Sequence, residues 1–339
     1  MNLRHLRYFV ALAREQHHAR AAEACHVTQS TLSEAVRQLE AELGVPLIER
    51  GGPRFRCLTE AGQRVLVWAQ HTLADRDALD QDLAHMKWDL TGRLRLGVVP
   101  AAVVATPLLV TPFCRKHPKM TVEVQSMASL EIQRGLDNCE LDAGITYLDN
   151  EPLHNVRSLA LYEECYVLLT APGGPFAARR SVTWAEAAEL PLCLLTKGMQ
   201  NRRIIDRIIG QAGASLAPPR METTSMLAIC AHVHSGDWAS IVPHSLLTVF
   251  GEGLRALPLV RPRASQSIGV VAAGRDPLSP VTHAFLAVAR SLDLRSALDR
   301  PLSSAQVIGT SDRPARNSGL NGGGGAVTLL TTAHSRSSP

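Results

Sequence analysis

The stretch from Ala19 to Gly44, ARAAEACHVTQSTLSEAVRQLEAELG, constrains the fold more than any other part of the chain. Ala21, Ala22 and Cys25 give one short segment a small-residue face, while Leu32, Val36, Leu39 and Leu43 recur at the three-and-four spacing of a second helix. The alanines let the two helices approach closely. Between them lies the turn His26-Val27, and Thr28 is placed to cap the second helix by accepting a backbone N–H from its first turn. Gly44 supplies the left-handed residue that ends a helix at least cost, and Pro46 stops any continuation. Two helices joined by a tight turn follow.

The outer face of the second helix carries Gln29, Ser30, Thr31, Ser33, Glu34 and Arg37. Short polar side chains near the N-terminus suit a helix that enters the DNA major groove, because they reach base edges and phosphates without filling it. The same face fits the solvated side of an ordinary helical hairpin, and this stretch alone leaves both open. Beyond Gly44 come Val45–Arg50, a glycine-containing turn with Arg50, Arg54 and Arg56, and Leu58-Thr59-Glu60-Ala61-Gly62 opening a long helix. That order resembles the N-terminal winged helix-turn-helix of LysR-type transcriptional regulators. The pattern is matched by Leu6-Arg7-Tyr8-Phe9, Arg20-Ala21-Ala22-Glu23, Gln38-Leu39-Glu40 and Leu58–Gly62, with departures at His18, Ser30 and Glu34. The resemblance implies double-stranded DNA as partner. Gln29, Ser30, Ser33 and Arg37 are then placed to read bases, Thr28 and Thr31 to bind phosphate, and Arg50, Arg54 and Arg56 to hold phosphates or a narrow minor groove.

Bulk properties are compatible with this but do not point to it. The chain has 339 residues, enough for two or three domains, with 45% hydrophobic content and a mean hydropathy of +0.01. No apolar run is long enough to cross a bilayer, and the first residues lack the apolar core of a secretory signal, so a cytoplasmic protein is expected. Net charge is only +4, and residues 1–60 hold eight Arg against seven Glu. Clustering of arginines, not total charge, carries the nucleic-acid signal. The seven cysteines, at 25, 57, 114, 139, 165, 193 and 230, include no Cys-x-x-Cys. Some relatives in this family sense oxidants through a cysteine pair, but scattered single cysteines read first as small buried apolar side chains.

The rest of the chain falls into a regular layout. Residues 3–15 form a first amphipathic helix, and Leu47-Ile48 with Phe55 and Leu58 fit the two short strands of a wing. A long helix is expected from Thr59 to about Leu90, with a narrow seam of Leu66, Ala69, Leu73, Leu79, Leu83, Met86 and Leu90 suited to dimerisation. From Arg93 strands and helices alternate as in a parallel α/β sheet, and a second such unit begins at Tyr166. Two α/β lobes joined by two crossings resemble the periplasmic-binding-protein-like effector domain of the same family. The expected fold is therefore multi-domain: a winged helix-turn-helix at 1–58, a linker helix at 59–90, and a two-lobe effector domain at 92–298. Lobe I takes about 92–161 and 267–298, lobe II about 162–266, and the Ser- and Gly-rich residues 299–339 read as a disordered tail.

No catalytic motif competes: there is no HExxH, G-x-S-x-G, Walker loop or dinucleotide glycine fingerprint. His232 and His234, two apart on a helix, point to different sides, so no metal or cofactor is expected. A two-lobe solute-binding or catalytic protein with an incidental helical N-terminus is the rival, and a solute receptor would need export. In the resemblance, a small-molecule effector sits between the lobes near helix starts, whose N–H groups suit a small carboxylate. Where the family often carries a hydroxyl, Ala101 and Ala102 offer none. Ser129 and Thr224 are then the candidate hydroxyl donors, Thr196 and Gln200 the groups from the second lobe, and Arg202 the counter-ion. Paired recognition helices imply a homodimer or homotetramer.

Overall fold

The computed structural model describes residues 1–49, 55–85, 90–149, 151 and 153–298. Three helices open it: α1 (Leu3–Glu15), α2 (His18–Ala24) and α3 (Gln29–Leu43). Leu6, Phe9, Leu12, Ala21, Leu32 and Leu39 are at most 1% exposed and close a core between them. Gly44 ends α3 with φ +70°, a conformation that costs glycine nothing sterically. Among the described residues of the expected wing, Ile48 and Leu58 form a bridge, flanked by a Glu49 N–H bond to the Cys57 carbonyl, and residues 50–54 lie outside them. Glu40 ties this segment to α3: its carboxylate accepts the N–H groups of Leu47 and Ile48 at 2.7 and 3.2 Å.

The long helix α4 (Glu60–His85) begins where the Thr59 hydroxyl accepts the Gly62 N–H at 2.9 Å. Its expected seam divides. Ala69 is 1% exposed and, with Leu66 and Leu73, packs on the core of α1–α3, whereas Leu79 and Leu83 are 57% and 53% exposed. Leu90 belongs to the core of the following body, and Met86 lies outside the described residues. One helix thus serves two bodies, because its first half is the fourth helix of the N-terminal module. Further along, His71 Nε2 lies 2.7 Å from the Asp137 carbonyl and Gln70 donates to Glu140 at 3.4 Å.

The α/β body follows as β1 (Gly92–Val98), α5 (Thr106–Lys116), β2 (Met120–Ser126), α6 (Ser129–Asp137) and β3 (Ala143–Tyr147). Then come β4 (Val156–Thr170), β5 (Val182–Thr183), α7 (Trp184–Ala188), β6 (Cys193–Leu195), α8 (Gln200–Gln211), β7 (Met221–Thr223) and α9 (Met226–His234). The chain closes with β8 (Ser240–Pro243), α10 (Leu247–Phe250), β9 (Arg255–Val260), β10 (Ser265–Ala273) and α11 (Pro280–Arg290).

In the first lobe β2, β1 and β3 are parallel, and β10 joins β3 antiparallel. The sequence places a strand only from Tyr166, but β4 is 15 residues long: its first two-thirds pair with β10, and its last residues pair with β8 and β9 of the second lobe. β4 is therefore a shared beam between the lobes. Tight packing of α6 against this sheet depends on glycine, since a Cβ on Gly144 would sit 2.4 Å from Ile132 Cγ2. That contact fixes where the N-terminus of α6 emerges.

Candidate DNA-binding face and interlobe effector site

Thr28 stands just before α3 with extended backbone and caps it, its hydroxyl accepting the Thr31 N–H at 3.2 Å and lying within 2.9 Å of the hydroxyls of Ser30 and Thr31. Thr28, Gln29, Ser30, Thr31 and Arg37 are exposed, so the first two turns of α3 present a polar row to solvent. Ser33 is half-buried, with its hydroxyl 3.3 Å from His18 Nδ1. Burial, and then the neighbouring His17, hold His18 below the usual imidazole pKa, which favours the neutral ring that Ser33 contacts. Arg37 pairs with Glu34 one turn back, both exposed. Such a pair is worth no more than about 1 kcal/mol, so DNA can draw the guanidinium away at small cost. Arg56 is exposed, while Arg50 and Arg54 lie outside the described residues.

A second site lies between the lobes. A cavity of about 10 Å³, room for one water-sized molecule, has Pro100, Ala101, Ser129 and Tyr147 on one side and Leu195, Met199, Gln200 and Asn201 on the other. Two helix starts meet here, α6 at Ser129 and α8 at Gln200. The lobes touch through a hydrogen bond from the Ser129 hydroxyl to Gln200 Oε1, one from Asn201 Nδ2 to the Tyr147 hydroxyl at 2.9 Å, and an Arg203–Glu151 ion pair. Thr146 donates to the Ser129 hydroxyl at 3.1 Å from behind. Ser129, Gln200 and Asn201 are each 3% exposed.

Of the residues expected at this site, Ala101, Ser129 and Gln200 line it together. Thr196 is half-buried and off the cavity, its N–H bonded to the Thr223 carbonyl, and Thr224 is exposed. The expectation for Arg202 is corrected. Its side chain is 2% exposed and donates to Asp206 at 2.8 Å, to the Leu195 carbonyl at 3.0 Å, and to Glu222. Burial pulls its pKa down, but the two carboxylates outweigh this and hold it above the usual value. It is a structural cation of the second lobe and faces no ligand.

Sequence reasoning missed Tyr147, Asn201 and Glu164. Glu164 is fully buried on β4 and accepts from Tyr147 at 2.8 Å and from Tyr162 at 3.4 Å. Burial raises its pKa to about 7, against the lowering effect of the two tyrosine hydroxyls. The period of two in Tyr162, Glu164 and Tyr166 places all three on one face of the strand, and that was the available signal.

The comparisons with known proteins bear on both sites. Residues 3–63 match the model of the bacterial regulatory helix-turn-helix protein, lysR family, and residues 89–293 match the LysR substrate binding domain. The chain belongs to the LysR family. It is 32% identical to a probable hydrogen peroxide-inducible genes activator of Mycobacterium avium, over 80% of this chain and 88% of the relative. It is 30% identical to the Escherichia coli DNA-binding transcriptional dual regulator OxyR, over 82% and 91%. A full-length OxyR variant from Pseudomonas aeruginosa superposes with a TM-score of 0.71 at 27% identity, covering 87% of this chain and 97% of that one. This LysR-type regulator therefore couples a DNA-binding head, through a helical linker, to a two-lobe effector domain. No cysteine lines its cavity. Cys193 and Cys230 are buried in the second lobe, and burial pushes both thiols up to about 11. Among the described residues no helix is long and apolar enough to cross a membrane, and no three metal-ligating side chains cluster.

Proposed function

We propose that this LysR-type regulator acts in the cytoplasm as a homodimer or homotetramer on promoter DNA, and that a small molecule bound reversibly between its lobes sets its activity. The observation that carries the reading is the pairing of an exposed polar row on a capped α3 with an interlobe cavity whose contacts, Ser129–Gln200 and Asn201–Tyr147, join the two lobes directly. Gln29, Ser30, Ser33 and Arg37 read bases, Thr28, Thr31 and Arg56 hold phosphates, and Arg50 and Arg54 are assigned to the wing contacts. Trp68, Leu79 and Leu83, 74%, 57% and 53% exposed on one side of α4, supply the surface for a second copy. One recognition helix reads too few base pairs for an operator, and two half-sites on one DNA face need a dimer.

The peroxide-responsive relatives suggest thiol oxidation as a second reading. Burial disfavours it at Cys193 and Cys230, where a thiol with pKa about 11 is thiolate in only about one molecule in 10⁴ at pH 7. Footprinting on the promoter beside the gene tests the first reading. Arg56→Ala should lower the salt slope of binding by about 0.9, and Gln29→Ala should relax sequence preference without that change. Ala101→Trp, whose ring far exceeds the cavity and so obstructs the cleft, should abolish the response of a reporter to its inducing condition while leaving operator binding intact. Unchanged footprints for both head variants would refute the head assignment, and an unchanged response in Ala101→Trp would refute the cleft.

A further inference from the structure

We infer that the interlobe cleft is built for a small uncharged ligand that both donates and accepts hydrogen bonds, such as a carboxamide, and not for a carboxylate or an ammonium ion. This rests on the cleft being the effector site. The polar groups that meet there are two carboxamides and two hydroxyls, of Gln200, Asn201, Ser129 and Tyr147, and no side chain carrying a full charge lines the cavity. They are satisfied by one another and by Thr146, Asp149 and Glu164 behind them. The Ser129 hydroxyl donates to Gln200 Oε1, and Asn201 Nδ2 donates to the Tyr147 hydroxyl at 2.9 Å. A ligand that parts Ser129 from Gln200 must accept from the hydroxyl and donate to the amide oxygen. A carboxamide does both. A carboxylate only accepts, and would leave Gln200 Oε1 facing another oxygen in a site 3% exposed. An ammonium ion only donates, and its charge would be buried without a carboxylate beside it.

The surrounding field adds to the case against an anion. The start of α6 is already occupied by a carboxylate, because Glu131 Oε2 accepts the Ala128 N–H at 2.7 Å. The start of α8, with no side-chain cap at Met199, offers at most about half a positive charge in return. Arg202, from which a counter-ion was expected, is held by Asp206 and Glu222, and Arg203, the cation that crosses between the lobes, is paired with Glu151. With a cavity of about 10 Å³ in the present closure, the ligand is small or must spread the lobes.

The test uses matched probes on the full chain: acetamide, acetate and ethylamine, then benzamide, benzoate and benzylamine, each followed by thermal shift and calorimetry. We expect the amide of at least one set to raise Tm by a few degrees while its acid and amine do not. Ser129→Ala and Gln200→Leu, each checked for native circular dichroism, should weaken that amide about tenfold or more, the loss expected for an unpaired buried group. Stabilisation by an acid or amine but not its amide would overturn the ligand class and leave the cleft standing. An amide effect untouched by both substitutions would place binding elsewhere and overturn the class and the cleft together. Silence from both sets would overturn the class, and the cleft would then stand or fall with Ala101→Trp.

Discussion

Glu164→Gln offers the sharpest test of how the buried network behind the cleft contributes to the fold. In the folded chain the carboxyl is fully enclosed, and burial raises its pKa from an ordinary 4.5 to about 7. Below pH 4.5 it is protonated both folded and unfolded, and its full stability is present. Between 4.5 and 7 the unfolded chain ionises while the folded chain keeps its proton, so stability falls as pH rises through the folded pKa. At about 1.4 kcal/mol for each unit between the two values, the loss complete above pH 7 is about 3 kcal/mol. Glutamine keeps one carbonyl to accept from Tyr147, but its NH₂ meets Tyr162, whose contact at 3.4 Å is the looser of the two. That mismatch costs about 1 kcal/mol at every pH. The variant should therefore be close to the parent in stability at pH 5 and more stable, by up to about 2 kcal/mol, at pH 8. Urea unfolding of the full-length protein at pH 5, 6, 7 and 8, followed by far-ultraviolet circular dichroism, measures this directly. A difference between variant and parent that stays constant across the range would show that Glu164 has the same pKa folded and unfolded, and the argument would fall.

Three further outcomes follow from packing. Gly144→Ala should cost about 1–3 kcal/mol by forcing Ile132 off its contact, and should cost less in an Ile132→Ala background, which lacks the clashing Cγ2, in the same unfolding measurement. Leu83→Glu should give a folded monomer without operator affinity, whereas Leu73→Glu should disrupt the head it packs on, as sedimentation and head-specific proteolysis would distinguish. Arg202→Met should lower stability by about 1–3 kcal/mol, discounted because Asp206 and Glu222 are one-third or more exposed; the inducing condition should still act in a reporter assay.

What was legible in the sequence was what short-range chemistry decides. Thr28 caps α3 and Gly44 ends it because capping and the left-handed turn involve only neighbouring atoms. The polar row from Gln29 to Arg37 follows from helical period alone. The seam of α4 was harder, since one apolar stripe can cover three different surfaces in turn: Ala69 meets the head, Leu83 meets solvent, and Leu90 enters the next core. Nothing in the spacing says where one surface stops. The length of β4 was equally hidden, because residues 156–165, VRSLALYEEC, do not alternate polar and apolar, and their strand partner, β10, arrives about a hundred residues later.

The misplacement of Arg202 has a different origin, and it was avoidable. Successive residues of an α-helix turn by about 100°, so side chains two apart point about 200° away from each other. Gln200 and Arg202 both lie in the first turn of α8, and both were expected to face the cleft. They cannot. The same rule, applied to His232 and His234, was enough to remove a metal site from consideration. Which of the two faces the ligand is then settled by where charge can be compensated. Asp206, four residues on, lies on the face of Arg202, and Glu222 on β7 packs against that same side. Rotating α8 to bring Arg202 into the cleft would leave its guanidinium among Ala101, Leu195 and Met199 and strip Asp206 and Glu222 of their partner. The neutral amide of Gln200 therefore takes the inner position and the cation the outer one, and with that the lobe's own folding selects an uncharged cleft.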